Sequence, residues 1–172
     1  SLAGSFYPNG IPIYDESELK KLIQQNDIDE VVFSYSDLPY DYVMQKSALV
    51  NAAGADFKLM GTKRTSIKSN KPIIGICAVR TGCGKSQTTR RVAEILKSLN
   101  KKTAVIRHPM PYGELEKQAV QRFSELSDLD KHKCTIEEME EYEPHINRGN
   151  IVFAGVDYEA IIRVAEKEAD VI

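Results

Sequence analysis

An apolar run, Pro72-Ile73-Ile74-Gly75-Ile76-Cys77-Ala78, leads into Val79-Arg80-Thr81-Gly82-Cys83-Gly84-Lys85-Ser86, and a helix-compatible stretch from Gln87 to Leu96 follows. Buried strand, glycine-rich turn, Gly-Lys-Ser and helix in that order are the layout of a phosphate-binding P-loop. The residue types suit that task. Gly82 and Gly84 let the backbone turn tightly and aim N–H groups at phosphate oxygens. A helix start adds unpaired N–H donors and the positive end of the helix dipole. Lys85 reaches the outer phosphates and the Ser86 hydroxyl ligates Mg²⁺.

Val79 stands where the common pattern has its first glycine. A deviant form of the motif reads Lys-Gly-Gly-x-Gly-Lys-[Ser/Thr]. Aligned on Gly84-Lys85, Arg80 takes its signature lysine position and Thr81 its first glycine. A guanidinium there suits fork-like phosphate recognition, on its own subunit's nucleotide or on a partner's in a homodimer.

The 172 residues are enough for one good core or two small ones. Apolar content of 42%, charged content of 28% and a net charge of −2 give no push toward nucleic acid or an anionic membrane. No apolar run approaches a membrane span. Three cysteines at unhelpful spacing indicate neither a disulfide framework nor a zinc site, and fit a reducing cytoplasm. Cys77 is expected in the core and Cys83 as a loop filler, although a nearby lysine and helix start can lower a thiol pKa. The start at Ser1 and the stop inside an Ala169-Asp170-Val171-Ile172 strand read as cuts in a longer chain.

The expected class is α/β. A parallel-sheet, Rossmann-like βαβαβ unit with a basic connector spans residues 1–70, and an incomplete P-loop NTPase domain spans 71–172. In the first unit, strands are expected near Ile11–Tyr14, Glu30–Tyr35 and Phe57–Met60, with helices from Glu18 and from Tyr42 to Ala53. In the second, strands are expected at Thr103–Ile106 and Ile151–Ala154. Helices are expected to about Leu99, over Glu114–Leu126, over Thr135–Tyr142 with a Thr135/Glu138 capping box, and over Tyr158–Glu168. No Gly-x-Gly-x-x-Gly occurs in the first unit, so it reads as a structural or substrate-closing partner.

Ligands of open α/β sheets bind at the carboxyl ends of strands. The loop Arg107-His108-Pro109-Met110-Pro111-Tyr112-Gly113 follows a strand directly, so Arg107 and His108 are placed to meet an anionic second substrate. Lys117, Gln121 and Arg122 read as a solvated helix face or a basic rim. His145 has a pKa suited to acid–base work but no partner legible in sequence. His132 reads as exposed. The run Glu137, Glu138, Glu140, Glu141 and Glu143 reads as a solvated face, or as a gate against a phosphorylated ligand.

The string from Cys77 to Arg91 resembles the cyclic 2,3-diphosphoglycerate synthetase family and its GTPase-labelled relatives. So do Arg107–Gly113, Glu116–Phe123, Glu143-Pro144-His145 and Ala154-Gly155-Val156-Asp157-Tyr158. That resemblance implies an ATP- and Mg²⁺-dependent closure of a phosphoanhydride on a small phosphorylated acid such as 2,3-diphosphoglycerate. The deviant P-loop group also includes GTPase switches and metal-centre maturation factors, so GTP stays open. On the synthetase reading Thr81, Gly82, Cys83, Gly84, Lys85, Ser86 and Gln87 form the nucleotide site. Arg80 spreads transition-state charge, and Arg107 with His108 orients the acceptor phosphate.

Overall fold

The computed structural model describes residues 4, 6–35, 38–80, 82–108 and 115–172. The chain is α/β and divides into two compact units, residues 3–66 and 67–172.

In the first unit Asp15 caps a short 3₁₀ turn, Glu16–Glu18, its carboxylate accepting from the Ser17 amide at 2.9 Å. Helix α1 (Leu19–Asn26), strand β1 (Glu30–Phe33), helix α2 (Tyr40–Ala53), strand β2 (Asp56–Leu59) and the single turn α3 (Thr62–Thr65) follow. Helix α2 stops at Gly54, whose φ of 106° lies in the left-handed region. Strands β1 and β2 pair in parallel, with Val31 opposite Phe57. A small core of Ile23, Val50 and Ala55 packs with Leu19, Val31 and Phe57. The expected strand at Ile11–Tyr14 is not formed, so the described unit holds one βαβ crossover rather than βαβαβ. Pro12 offers no N–H to a ladder, and Ile11, Ile13 and Tyr14 are all exposed.

The second unit contains α4 (Lys85–Ser98), β3 (Ala104–Arg107), a 3₁₀ turn at Leu115–Gln118, β4 (Gln121–Phe123), α5 (Ser127–Lys131), α6 (Ile136–Ile146), β5 (Ile151–Ala154) and α7 (Tyr158–Glu168). The sheet order is β3-β5-β4, parallel between β3 and β5 and antiparallel between β5 and β4. Alternate residues of β3 and β5 feed two cores. Val105, Val152 and Ala154 pack with Phe123, Leu129, Tyr142 and Ile146 on one face. Ala104 and Phe153 pack with Ile161, Ala165 and Ala169 on the other. Burial on both faces explains why these strands read as continuous apolar runs.

Beyond β3 the sheet continues by single ladder contacts. Thr103 bridges Val171 in parallel. The Ile172 amide donates to Pro72 O at 3.0 Å, and the Ile74 amide donates to Ile172 O at 2.8 Å. The expected strand Pro72–Ala78 is therefore engaged only near Ile73. Past that contact Cys77 is exposed, not in the core as expected.

The expected helix over Glu114–Leu126 is also replaced. Residues 115–118 make a 3₁₀ turn and Gln121–Phe123 an edge strand, which makes the sheet mixed. Period-2 burial wins there, because Gln121 and Phe123 are buried while Arg122 points outward to Glu168. Helix α6 opens with the Thr135/Glu138 capping box and runs past Tyr142 through Pro144, since His145 and Ile146 are buried with it.

Candidate functional site

The turn before α4 is shaped by two glycines. Gly82 and Gly84 have φ of 80° and 82°, a region costly for residues with a Cβ, and nothing lies within 4 Å of where a Cβ would stand. Gly84 occupies the N-cap position, so no side chain caps α4, and the first turn carries no acidic residue. The helix start is thus left open to an external anion. Arg80, Gly82, Cys83, Lys85 and Gln87 are exposed, and Ser86 is half-buried in the first helical turn. Thr81 lies outside the described residues, as do Pro109 to Glu114, which include the proline-rich part of the second expected site loop.

A cavity of about 450 Å³ runs between α4 and β3. Lys85 and Thr89 from α4, Arg107 and His108 from the end of β3, and Glu141 from α6 all line it. Ile74, Ile76, Ile106 and Ile172 give it an apolar wall, and Leu96 and Thr103 lie at its other end. The structure therefore gathers Lys85 and the neighbouring pair Arg107 and His108, which come from separate elements, around one space. That volume is in the range of small-molecule sites.

Arg107 is largely enclosed and forms an ion pair with Glu141. Burial lowers its pKa from the ordinary value, but a guanidinium remains charged at neutral pH. The His108 ring lies 6.1 Å from that of Tyr158. In sequence Glu141 was one carboxylate of an acidic run that read as a solvated face or as a gate against a phosphorylated ligand, and the structure places it at the cavity. Its pairing with Arg107 spans β3 and α6, and no local pattern signals such a contact.

Other expected groups separate from the cavity. Gln121 is buried in β4, and Arg122 is held by Glu168 through Nε–Oε1 at 2.8 Å and Nη2–Oε2 at 2.6 Å. With Lys117 in a 3₁₀ turn, the three do not form one helix face or a basic rim. Glu138 serves the α6 capping box, with its carboxylate accepting from the Thr135 amide at 2.9 Å. His132 is half-buried, edge-on to Phe123 with ring centroids 4.9 Å apart, rather than exposed. Burial pushes the Cys134 thiol up to about 11, which makes it inert at neutral pH. Among the described residues no group of three or more His, Cys, Asp or Glu side chains could hold a metal. No helix among them is long and apolar enough to cross a membrane.

His145 is 2% exposed and its Nδ1 has no hydrogen-bond partner among the described residues. Burial, with Arg107, Arg90 and Arg148 nearby, lowers its pKa from 6.5 to about 4. It is neutral at pH 7 and lacks the second proton that an imidazolium would give up as a general acid. The unfolded chain binds a proton here at a higher pH than the fold does. Stability from this group is therefore complete above pH 6.5 and lost as pH falls toward 4, by roughly 3 kcal/mol. Urea unfolding at pH 7 and pH 4.5 is expected to show a smaller pH-dependent loss in His145→Gln than in the parent. Equal losses in the two proteins would remove His145 as the source.

No protein-family model matches the chain, and no solved structure matches it. A protein of Thermococcus kodakarensis named Arginine synthetase ArcE is 59% identical over 171 residues. The match covers 99% of this chain but 38% of that protein, so the chain spans well under half the length of the curated relative. The finding corrects the resemblance to cyclic 2,3-diphosphoglycerate synthetases. Phosphate-loop strings report how a nucleotide is held, and carry little about the acceptor that receives its phosphate. Identity along nearly the whole chain, to a protein whose name is that of a synthetase making arginine, replaces the earlier reading.

Proposed function

We propose that residues 67–172 supply the nucleotide-phosphate site, a P-loop NTPase element, of a longer ATP-dependent ligase in arginine synthesis. The observation that carries this reading is the pair of left-handed glycines opening an uncapped fourteen-residue helix, with Lys85 facing the same cavity as Arg107. Backbone amides of Gly82 to Ser86 bind the phosphate oxygens, and Lys85 neutralises the outer phosphates. Arg80, exposed ahead of the loop, adds charge where phosphoryl transfer spreads it over oxygen atoms. The half-buried Ser86 hydroxyl in the first turn fits an oxygen-preferring cation, and Ser86 would hold Mg²⁺ together with nucleotide oxygens. When bound, that ion neutralises phosphate charge.

The name of the relative supports a particular use of the nucleotide. A direct way to make a guanidinium is to replace the oxygen of a ureido group with ammonia. Oxygen is a poor leaving group. Phosphorylation of the ureido oxygen by ATP gives ADP and a phosphorylated intermediate, and attack by ammonia then expels phosphate. Positioning and charge neutralisation supply most of the catalysis in such transfers.

The test is turnover by the full-length protein with Mg²⁺, ATP, ammonium and L-citrulline, the ureido counterpart of arginine. ADP, phosphate and L-arginine are expected in equal amounts. Nucleotide hydrolysis indifferent to citrulline and ammonium would overturn the ligase reading.

A further inference from the structure

We propose that Arg107 and Glu141 form a two-sided clamp for a zwitterionic amino-acid substrate, Arg107 holding its carboxylate and Glu141 its ammonium. The proposal names the acceptor end of the site described above, and rests on that reading for the claim that the bound amino acid reacts there.

Two observations carry it. The first is placement. Arg107 ends β3, Glu141 sits in α6, and both line the cavity that Lys85 lines from α4. Ile76 and Ile106 line the same cavity and suit the methylenes of an amino-acid side chain. The second is charge. Arg107 and Glu141 are paired with each other, so their net contribution is zero. A phosphorylated acid gains Arg107 but meets the Glu141 carboxylate, and like charges in an enclosed site are costly. A zwitterion instead inserts between the pair and turns one ion pair into two. Neither protein charge is left uncompensated, which is the condition for opening an enclosed pair at low cost. The two sides are unequal in access, as 14% of the Arg107 side chain is exposed against 36% of Glu141. Glu141 is therefore the partner free to move outward, and the enclosed Arg107 is the fixed anchor.

The test uses the full-length protein and calorimetry, with and without a non-hydrolysable ATP analogue and Mg²⁺. Three ligands separate the two ends: L-arginine, agmatine, which lacks the carboxylate, and Nα-acetyl-L-arginine, which lacks the ammonium. L-Arginine is expected to bind the parent protein about 100-fold more tightly than either analogue, as expected for losing one desolvated charge pair. Glu141→Gln, nearly isosteric, should weaken L-arginine and agmatine and leave the acetylated ligand unchanged. The same variant should bind 3-phosphoglycerate more tightly than the parent does. Failure of L-arginine to bind, equal binding of all three ligands, or unchanged discrimination in Glu141→Gln would each overturn the clamp. Arginine discrimination without any binding of the ATP analogue would sink the nucleotide reading and support the clamp.

Discussion

Lys85→Ala is expected to weaken Mg·ATP binding by at least about 100-fold, as loss of a charge-assisted phosphate contact predicts, while leaving the fold intact. Lys85 is the first residue of α4, directly after the left-handed Gly84. Its side chain is exposed and lines the cavity, and among the described residues it makes no ion pair. An ammonium so placed contributes little to folding, because substitutions at exposed sites without partners usually change stability by less than about 0.5 kcal/mol. On the proposed reading its value lies with an anion brought to the helix start, where Lys85 would add a full charge to the partial charge of the dipole. Lys85→Arg is the informative companion. It keeps the charge but exchanges a compact ammonium for a planar fork, so affinity should recover only in part. Titration calorimetry on the full-length protein gives the answer directly. Parent-like affinity in Lys85→Ala would remove the phosphate-loop assignment, whatever the acceptor proves to be.

What the sequence disclosed was mostly local. The left-handed glycines, the Thr135/Glu138 capping box, the Gly54 stop and the apolar strands β3 and β5 depend on residues a few positions apart, or on burial of both sheet faces. What it concealed was decided across the fold. Residues 115–126 have a helix-favouring composition, Leu-Glu-Lys-Gln-Ala-Val-Gln-Arg-Phe-Ser-Glu-Leu, and nothing within them announces an edge strand. The deciding contacts come from Val156 and Asp157, whose amides donate to Gln118 O and Ala119 O, both at 3.0 Å. The site shows the same division. Lys85 could be placed from its motif and Arg107 from its position after a strand. Glu141 joined them only when α6 was folded against the sheet.

The largest loss of stability is expected at Gly155, where Gly155→Ala should cost about 3–5 kcal/mol. Gly155 follows β5 with φ of 147°, a conformation that L side chains rarely adopt. An added Cβ would stand 2.7 Å from Gln118 O and 2.9 Å from the Ala119 carbonyl carbon, and closer still to Ala119 O. These are backbone atoms, so no side-chain rotation relieves the clash. They belong to the same two carbonyls that Val156 and Asp157 bond. Relief therefore means breaking both bonds and shifting the segment that leads into β4, with Phe123 and Gln121 buried behind it. Strain of about 1–3 kcal/mol and two hydrogen bonds of about 1 kcal/mol each give the expected range. Gly149→Ala is the control. Its φ of 77° also disfavours a side chain, but its nearest neighbour is Lys97 Nζ, the far end of a long side chain, at an ordinary contact distance of 3.7 Å, so a loss near 1 kcal/mol is expected. Urea unfolding of both variants separates the two causes. Equal losses would mean that left-handed backbone alone, not the approach of residues 118–119, makes Gly155 necessary. A much larger loss at Gly155 also has a functional consequence. Ala154, its immediate predecessor, is the register partner of Arg107, so a variant that still folds should show weakened acceptor binding before weakened nucleotide binding.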